Sequence, residues 1–446
     1  MTSRYVEIRP DNIPSDGKVS FKNGFPVLSF TISAQDGLLD PRSIRIVGNF
    51  NAYKDNIQPN PTPLVDGDGL TMNNRLGIYN VIDTFTVRSV KSKMICESIR
   101  HYSKYLNTYL GLTSSLQDQM GHLAETCLIM PNAETFRKSV IENASNQPGV
   151  DAQTNSFSFH TPSGFMLGGN LINLRPDAFG AVQLEYSLMP DANVFYSTTG
   201  NTTGLTEAHY ELSNLKLCCE IQDIPPGELT SGEDEGVYEY NTITSLYTSI
   251  NSTNAQIQYN LALKNVISAF MTFMPVSNIN TLTNDGQATT FPSGKGSSNT
   301  DLAFFKRIQF LKGGVKYPAD FDYVNNIVSD SRATLPDPQI VKTFIEAVVP
   351  ENSGDRVAIS PVNTNRSYNM IMNSTAASYS NIAEGGGLTG LGVKYGIGQV
   401  GDDFSQEQWG VSIESELNRD RPIGVYIFIK AKAQLVYNRN GVQLIQ

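Results

Sequence analysis

The segment Pro422–Gln446 reads PIGVYIFIKAKAQLVYNRNGVQLIQ. Val425, Ile427, Ile429, Ala431, Ala433, Leu435 and Tyr437 recur at every second position, with Tyr426, Phe428, Lys430, Lys432 and Gln434 between them. A period of two predicts a strand with one face in a core. At roughly 3.3 Å per residue the alternating run spans about 43 Å, far longer than a strand of about 5–6 residues. The small Ala431 and Ala433 would let another layer come close. Asn440-Gly441 predicts a turn after it. A long strand at the end of a chain must pair with strands made much earlier. That favours a sandwich closed by its last strand over a sheet built in sequence order.

Working outward, Phe25–Ser33, Ser43–Tyr53, Gly77–Val90, Ser156–His160, Gly164–Leu174, Gly180–Met189 and Ala208–Ile221 read as strands. Turn residues such as Asp36-Gly37 and Asp40-Pro41 separate them. The pattern of Ile95–Leu110 fits a helix or a strand, and Leu123–Met130 is apolar enough for a buried strand. Asn132 predicts the N-cap of a helix carrying Phe136, Val140 and Ile141 on one side. Asp223-Ile-Pro-Pro-Gly227, followed by Glu228, Glu233, Asp234 and Glu235, marks a domain boundary.

The second half then repeats the programme. Gly236-Val237-Tyr238 answers Gly77-Ile78-Tyr79, and Asp337-Pro338 opens a helix as N-cap and first helical residue, answering Asn132. Tyr210–Ile221 and the closing segment match in length. The expected organisation is an N-terminal arm at 1–24, a first roll at 25–224, a linker at 225–236 and a second roll at 237–446. The fold class is all-β: two tandem antiparallel eight-stranded jelly rolls, each with a short helix inserted before its last strands. The regular strand–helix alternation of an α/β enzyme is missing. The long polar loops at 276–300 and 350–405 have the length of functional surfaces or disordered segments.

Composition agrees. Only 17% of the 446 residues are charged, the net charge is −10, and Asn, Ser, Thr and Gly fill the difference. No Lys/Arg run marks a nucleic-acid contact, so no sequence-specific nucleic-acid binding is expected. The first ten residues lack the apolar core of a signal peptide, and no run approaches a membrane span. A protein made inside the cell is expected, and the five sequons at Asn143, Asn201, Asn251, Asn365 and Asn373 reflect composition.

No catalytic, cofactor-binding or metal-ligating set emerges. Cys96, Cys127, Cys218 and Cys219 make no C-x-x-C pair and read as reduced thiols. His101, His122, His160 and His209 fall in separate elements with no ligand spacing. Gly294-Lys295-Gly296-Ser297 resembles the tail of a phosphate loop, but Thr289 stands where the leading glycine belongs and no strand precedes it. The glycines from Gly385 to Gly398 follow no dinucleotide pattern. Asp402-Asp403 and the pair Glu414/Glu416 lack a sugar platform beyond Trp409.

Leu39–Phe50 (LDPRSIRIVGNF), Phe179–Tyr186 (FGAVQLEY), Phe310–Pro318 (FLKGGVKYP) and Arg421–Leu444 together resemble the double jelly-roll major capsid proteins of icosahedral DNA viruses, and within them those of Polinton-like viruses and virophages. The resemblance implies a structural protein and no enzyme or cofactor. It implies pseudo-hexagonal homotrimeric capsomers that meet neighbouring capsomers, penton and minor capsid proteins in the virion shell. Another β-rich virion protein (minor capsid, vertex or fibre) is the alternative, and against a vertex protein, usually a single roll, stands the duplicated order. A carbohydrate-binding adhesin would carry a signal peptide and more than one Trp.

Overall fold

The computed structural model describes residues 3–57, 61–65, 67–114, 116–130, 132–142, 155–224, 235–287, 305–318, 323–324, 338–349, 390–396, 401–415 and 422–446. The main strands of the first half are β1 (Ser3–Ile8), β2 (Val27–Ile32), β3 (Leu38–Tyr53), β4 (Ile82–Ser89), β5 (Met94–Arg100), β6 (Asn155–His160), β7 (Val182–Leu188) and β8 (His209–Gln222), joined by two-residue strands at Lys18–Val19, Leu70–Thr71, Ile172–Asn173 and Tyr196–Ser197. One sheet runs β1-β8-β3-β6 and the other β2-β7-β4-β5, antiparallel throughout. The second half has β9 (Gly236–Ile250), β10 (Asn254–Asn260), β11 (Val266–Pro275), β12 (Phe305–Lys312), β13 (Val315–Lys316), β14 (Leu391–Lys394), β15 (Gln408–Ser415) and β16 (Ile423–Asn438). Its sheets run β9-β16-β11-β14 and β10-β15-β12-β13. These main strands follow the same order in both halves, and Tyr323–Val324 also pairs with β12, on the side of β13. Two sheets in this interleaved order form a jelly roll, so the expected tandem rolls are present.

Long strands form where alternation is sustained. Along β7, Val182, Leu184, Tyr186 and Leu188 are buried and the residues between them half-buried. β3 is longer than expected. Asp40-Pro41, read as a turn, lies inside one 16-residue strand. Pairing with β8 skips from Asp40 to Arg45, so Pro41 needs no ladder hydrogen bond. Ser43 repairs the gap: its hydroxyl donates to Asp40 O (2.7 Å) and accepts the Glu220 N–H (2.7 Å).

Three other expectations are corrected. Ser3–Ile8 was set apart as an arm, but it is β1, paired residue by residue with Leu217–Gln222. Leu123–Met130, expected as a strand, holds the helix His122–Cys127. A short apolar run does not by itself distinguish the two states. Within Gly164–Leu174 only Ile172–Asn173 is extended, beside β3. Ile95–Leu110 contains both of its alternatives: β5 ends at Arg100 and helix α1 (Tyr102–Thr113) begins two residues later. Asn132 caps as expected, its Oδ1 accepting the Thr135 N–H at 2.9 Å. Of the expected linker at 225–236, residues 225–234 lie outside the described residues and Gly236 already begins β9; the cap at Asp337 also lies outside them.

The closing strand departs from simple alternation. Val425, Ile427, Ile429 and Ala431 enter the second roll's own core. Tyr426 and Phe428, expected on the opposite face, are buried against the first roll, and so are Ala433, Leu435 and Tyr437. Pairing with β9 is unbroken from Ile429 to Tyr437, so Ala433, Leu435 and Tyr437 keep the face of Ala431, and along that one face the strand passes from the second roll's core to the cluster shared with the first. β11 covers one edge of β16 as far as Ala431. After the turn at Asn440-Gly441, β17 (Gly441–Ile445) covers that same edge from Gln434 to Asn438.

Candidate functional site: the seam between the rolls

β5 is an edge strand of the first roll and β9 an edge strand of the second. An open strand edge must be covered or blunted, and here each edge covers the other. The Tyr240 hydroxyl donates to Cys96 O, and the Arg100 N–H donates to Ser245 Oγ at 2.7 Å. Glu97 lies between them, 2% exposed. Its carboxylate accepts the N–H of Phe165 (2.9 Å) from the first roll and of Ile243 (3.1 Å) from the second. Burial pushes its pKa up to about 7, against the pull of these hydrogen bonds.

Helix α1 fills the rest of the seam. It is buried almost all round, as a helix between two layers must be. Tyr102 packs on Phe85 of the first roll (5.8 Å between centroids), while Tyr105 reaches Phe428 (5.7 Å) and Phe270 (6.2 Å) of the second. Lys104, on the same helix, donates to Gly286 O (2.8 Å) and lies 5.4 Å from the Tyr426 ring. Burial lowers its pKa to about 7. Lys430 donates to Val348 O from helix α2 (Pro338–Val348), over the ring of Tyr109.

The segment after β11 acts as a strap on the first roll. Gln287 accepts from Ser103 (2.6 Å) and Asn107 (3.0 Å), Asp285 accepts from Asn73 (2.8 Å), and Leu282 O accepts the Ser197 N–H (2.6 Å). The part of the 276–300 loop that is described therefore clasps its own chain. The 350–389 stretch of the other long loop lies outside the described residues. At the C-terminal end, Lys91 donates to both Ala178 O and Asn438 O (2.9 Å each), and Ser92 Oγ accepts the Val442 N–H (2.6 Å).

A partly open cleft of about 320 Å³ lies at the seam, lined by Tyr109, Leu167, Gly168, Tyr240, Lys430 and Gln434 among others. The residues weighed for chemistry are dispersed. His101 packs on Tyr247 and Tyr426, His122 lies near Asp118, His160 meets Ile44 O, and His209 stacks on Tyr53. No group of His, Cys, Asp or Glu among the described residues could hold a metal ion. Cys96, Cys127 and Cys219 are buried free thiols and Cys218 is half-buried. Trp409 is fully buried and donates to the Tyr395 hydroxyl (2.8 Å), so it offers no sugar platform. Asp402 accepts from Tyr317, and Glu414 lies on β15 opposite Asn254 and Arg307. Gly294–Ser297 and Glu416 lie outside the described residues. Sequence reasoning missed the seam because its partners lie far apart in the chain. The buried-side aromatics Tyr426 and Phe428 were its one visible signal, since a strand apolar on both faces is covered on both.

No known family model matches the chain, and no curated protein sequence matches it. Solved structures do match, over nearly its full length. The PBCV-1 virus capsid aligns with a TM-score of 0.54 and 10% identity, covering 100% of this chain and 96% of that one. The Sputnik virophage structure gives 0.52 and 10%, covering 100% and 88%. The Faustovirus major capsid protein gives 0.52 and 8%, covering 97% and 90%. The chain is a double jelly roll. Coverage of 97% or more takes in both rolls of the double jelly roll and the seam that joins them.

Proposed function

We propose that the chain is a major capsid protein that forms pseudo-hexagonal homotrimers in the icosahedral shell of a DNA virus. The observation that supports this best is the full-length fold match to viral capsid proteins, both rolls included. The seam adds a physical reason. A tile must hold its two rolls at a fixed angle, and three copies of a two-roll chain then present six similar wedges. The strands are long enough to set much of a shell's thickness: the 16 residues of β16 reach roughly 50 Å. In this reading the protein acts in the virion shell without catalysis and meets neighbouring capsomers, penton and minor capsid proteins. The first roll occupies 25–224 with β1 added to it, 225–235 links it to the second, and the second runs from β9 at Gly236 to 446.

Light scattering followed by negative-stain imaging tests the reading. A particle of three times 48.9 kDa with a hexagonal outline is expected. A monodisperse monomer with no three-fold views overturns it.

A further inference from the structure

The start of β8 carries a second buried charge cluster. The side chain of His209 is fully buried, and that of Glu211, two residues on and on the same face, is 2% exposed. Each ring nitrogen of His209 faces an oxygen that can only accept: Nδ1 lies 3.3 Å from Glu207 O, and Nε2 lies 3.7 Å from Glu211 Oε1. Burial works against the charge of Glu211, yet His209 and Lys18 beside it hold its carboxyl below the usual range, so it is a carboxylate at neutral pH. A neutral imidazole has one N–H and one bare lone pair. Whichever tautomer forms, that lone pair points at an acceptor oxygen inside the protein, and such an unmade contact costs free energy. The imidazolium, with a proton on both nitrogens, suits both neighbours.

The other elements packed around the ring favour a cation as well. The Tyr53 ring of β3 stacks on it, 5.4 Å between centroids and 27° between planes, with its electron-rich face toward the imidazole. Asp191 opens the short helix Asp191–Val194 and accepts the Tyr210 N–H at 3.0 Å. Burial raises its pKa to about 6, and His209 pulls in the opposite direction. Lys18 Nζ approaches Glu211 Oε2 at 3.2 Å, whereas Lys22 is taken up by the Glu207 carboxylate at 2.7 Å.

We propose that His209 is held as an imidazolium and works as a proton-operated latch on the edge of β8. The strand Lys18–Val19 covers that edge by pairing with Leu212–Ser213. With the proton in place, Glu211 is paired on both sides, by His209 from its own strand and by Lys18 from the covering one. When the proton leaves for solvent, a buried lone pair is set against the carboxylate. The hold on the covering strand then rests on Lys18, whose side chain is 41% exposed. The latch is closed while the ring is charged and opens as pH rises. It belongs to the single chain and stands apart from the capsomer reading.

Hydrogen exchange followed by mass spectrometry on the full-length chain tests this. After correction for the intrinsic effect of pH on exchange, residues 11–24 and 207–214 should exchange at least tenfold faster at pH 8.5 than at pH 6. Glu211→Gln should abolish the difference, because a neutral amide asks for no charge on the ring. His209→Gln should abolish it too, because its amide has no proton to lose; if one variant fails to fold, the other carries the comparison. In wild type labelled with 15N-histidine, the His209 ring should show two protonated nitrogens at pH 7. One protonated nitrogen there overturns the proposal, and so does a pH dependence that survives the substitutions. Exchange that responds to a chelator and not to pH would mean that a metal ion joins His209 to Glu211, and would overturn it as well.

Discussion

The outward faces of the sheets β1-β8-β3 and β9-β16-β11 occupy the same place in two rolls of the same strand order, yet their chemistry is opposite. The face in the second roll carries Ile243, Phe270, Tyr426 and Phe428, all buried against the first roll. The face in the first roll carries Tyr5, Glu7, Arg45, Lys216 and Cys218, all exposed or half-exposed. Strand order thus dictates the shape of a roll but not the character of its outer surface. That character follows from what covers it. A face covered permanently within the chain can be aromatic, whereas one that meets water in the free chain must stay polar to keep the chain from associating wrongly.

The comparison is sharpest at Phe428. Its ring is fully buried and touches Tyr105 and Phe270, at 5.7 and 5.3 Å between centroids. Phe428→Ala should cost about 3–5 kcal/mol in chemical denaturation. Cys218→Ala on the other face should stay within about 0.5 kcal/mol. Equal losses at the two positions would break the comparison.

The two buried charges of the seam give a smaller, pH-dependent effect. Glu97 titrates near 7 in the folded chain and near 4.5 when exposed. The folded state therefore holds its proton more tightly, and the stability this supplies is complete below about pH 4.5 and lost as pH rises through 7. Lys104 works in the other direction. Its folded value near 7 lies below the free value of 10.5, so its contribution is complete above about pH 10.5 and lost as pH falls through 7. The limbs are on the order of 3 kcal/mol for Glu97 and 5 kcal/mol for Lys104. Compared with wild type, Glu97→Gln should flatten the fall in melting temperature between pH 5 and 7, and Lys104→Met the rise between pH 7 and 10. A wild type and variants with parallel pH profiles would mean that water reaches the seam.

How far the fold could be read in advance follows the range of the interactions. β6, β7, β8 and β16 were legible because a core on one side leaves a local period of two. β16 runs from Ile423 to Asn438, within two residues of the alternating run. β1 was hidden because an edge strand with Ser3, Arg4 and Glu7 facing outward has little apolar pattern. Pro41 misled because the exemption that lets a proline sit inside β3 is granted by a slip in the partner strand, some 180 residues away. The seam was illegible for the same reason. Glu97 meets Ile243 across 146 positions, and nothing near Glu97 in the sequence distinguishes it from a solvated strand residue.

The smallest effect expected lies on the polar face. Lys216 and Glu7 join β8 to β1 at 2.8 Å, but their side chains are 46% and 63% exposed. Water and salt screen such a pair, and fixing two long side chains costs entropy. Lys216→Ala should therefore lower the stability of the dissociated chain by about 0.5 kcal/mol or less, and the loss should shrink further in high salt. If the loss instead exceeded about 2 kcal/mol and resisted salt, the pair would behave as a buried one. The face around β1 would then be covered in the free chain, and the contrast between the two rolls would reduce to a difference in residue type alone.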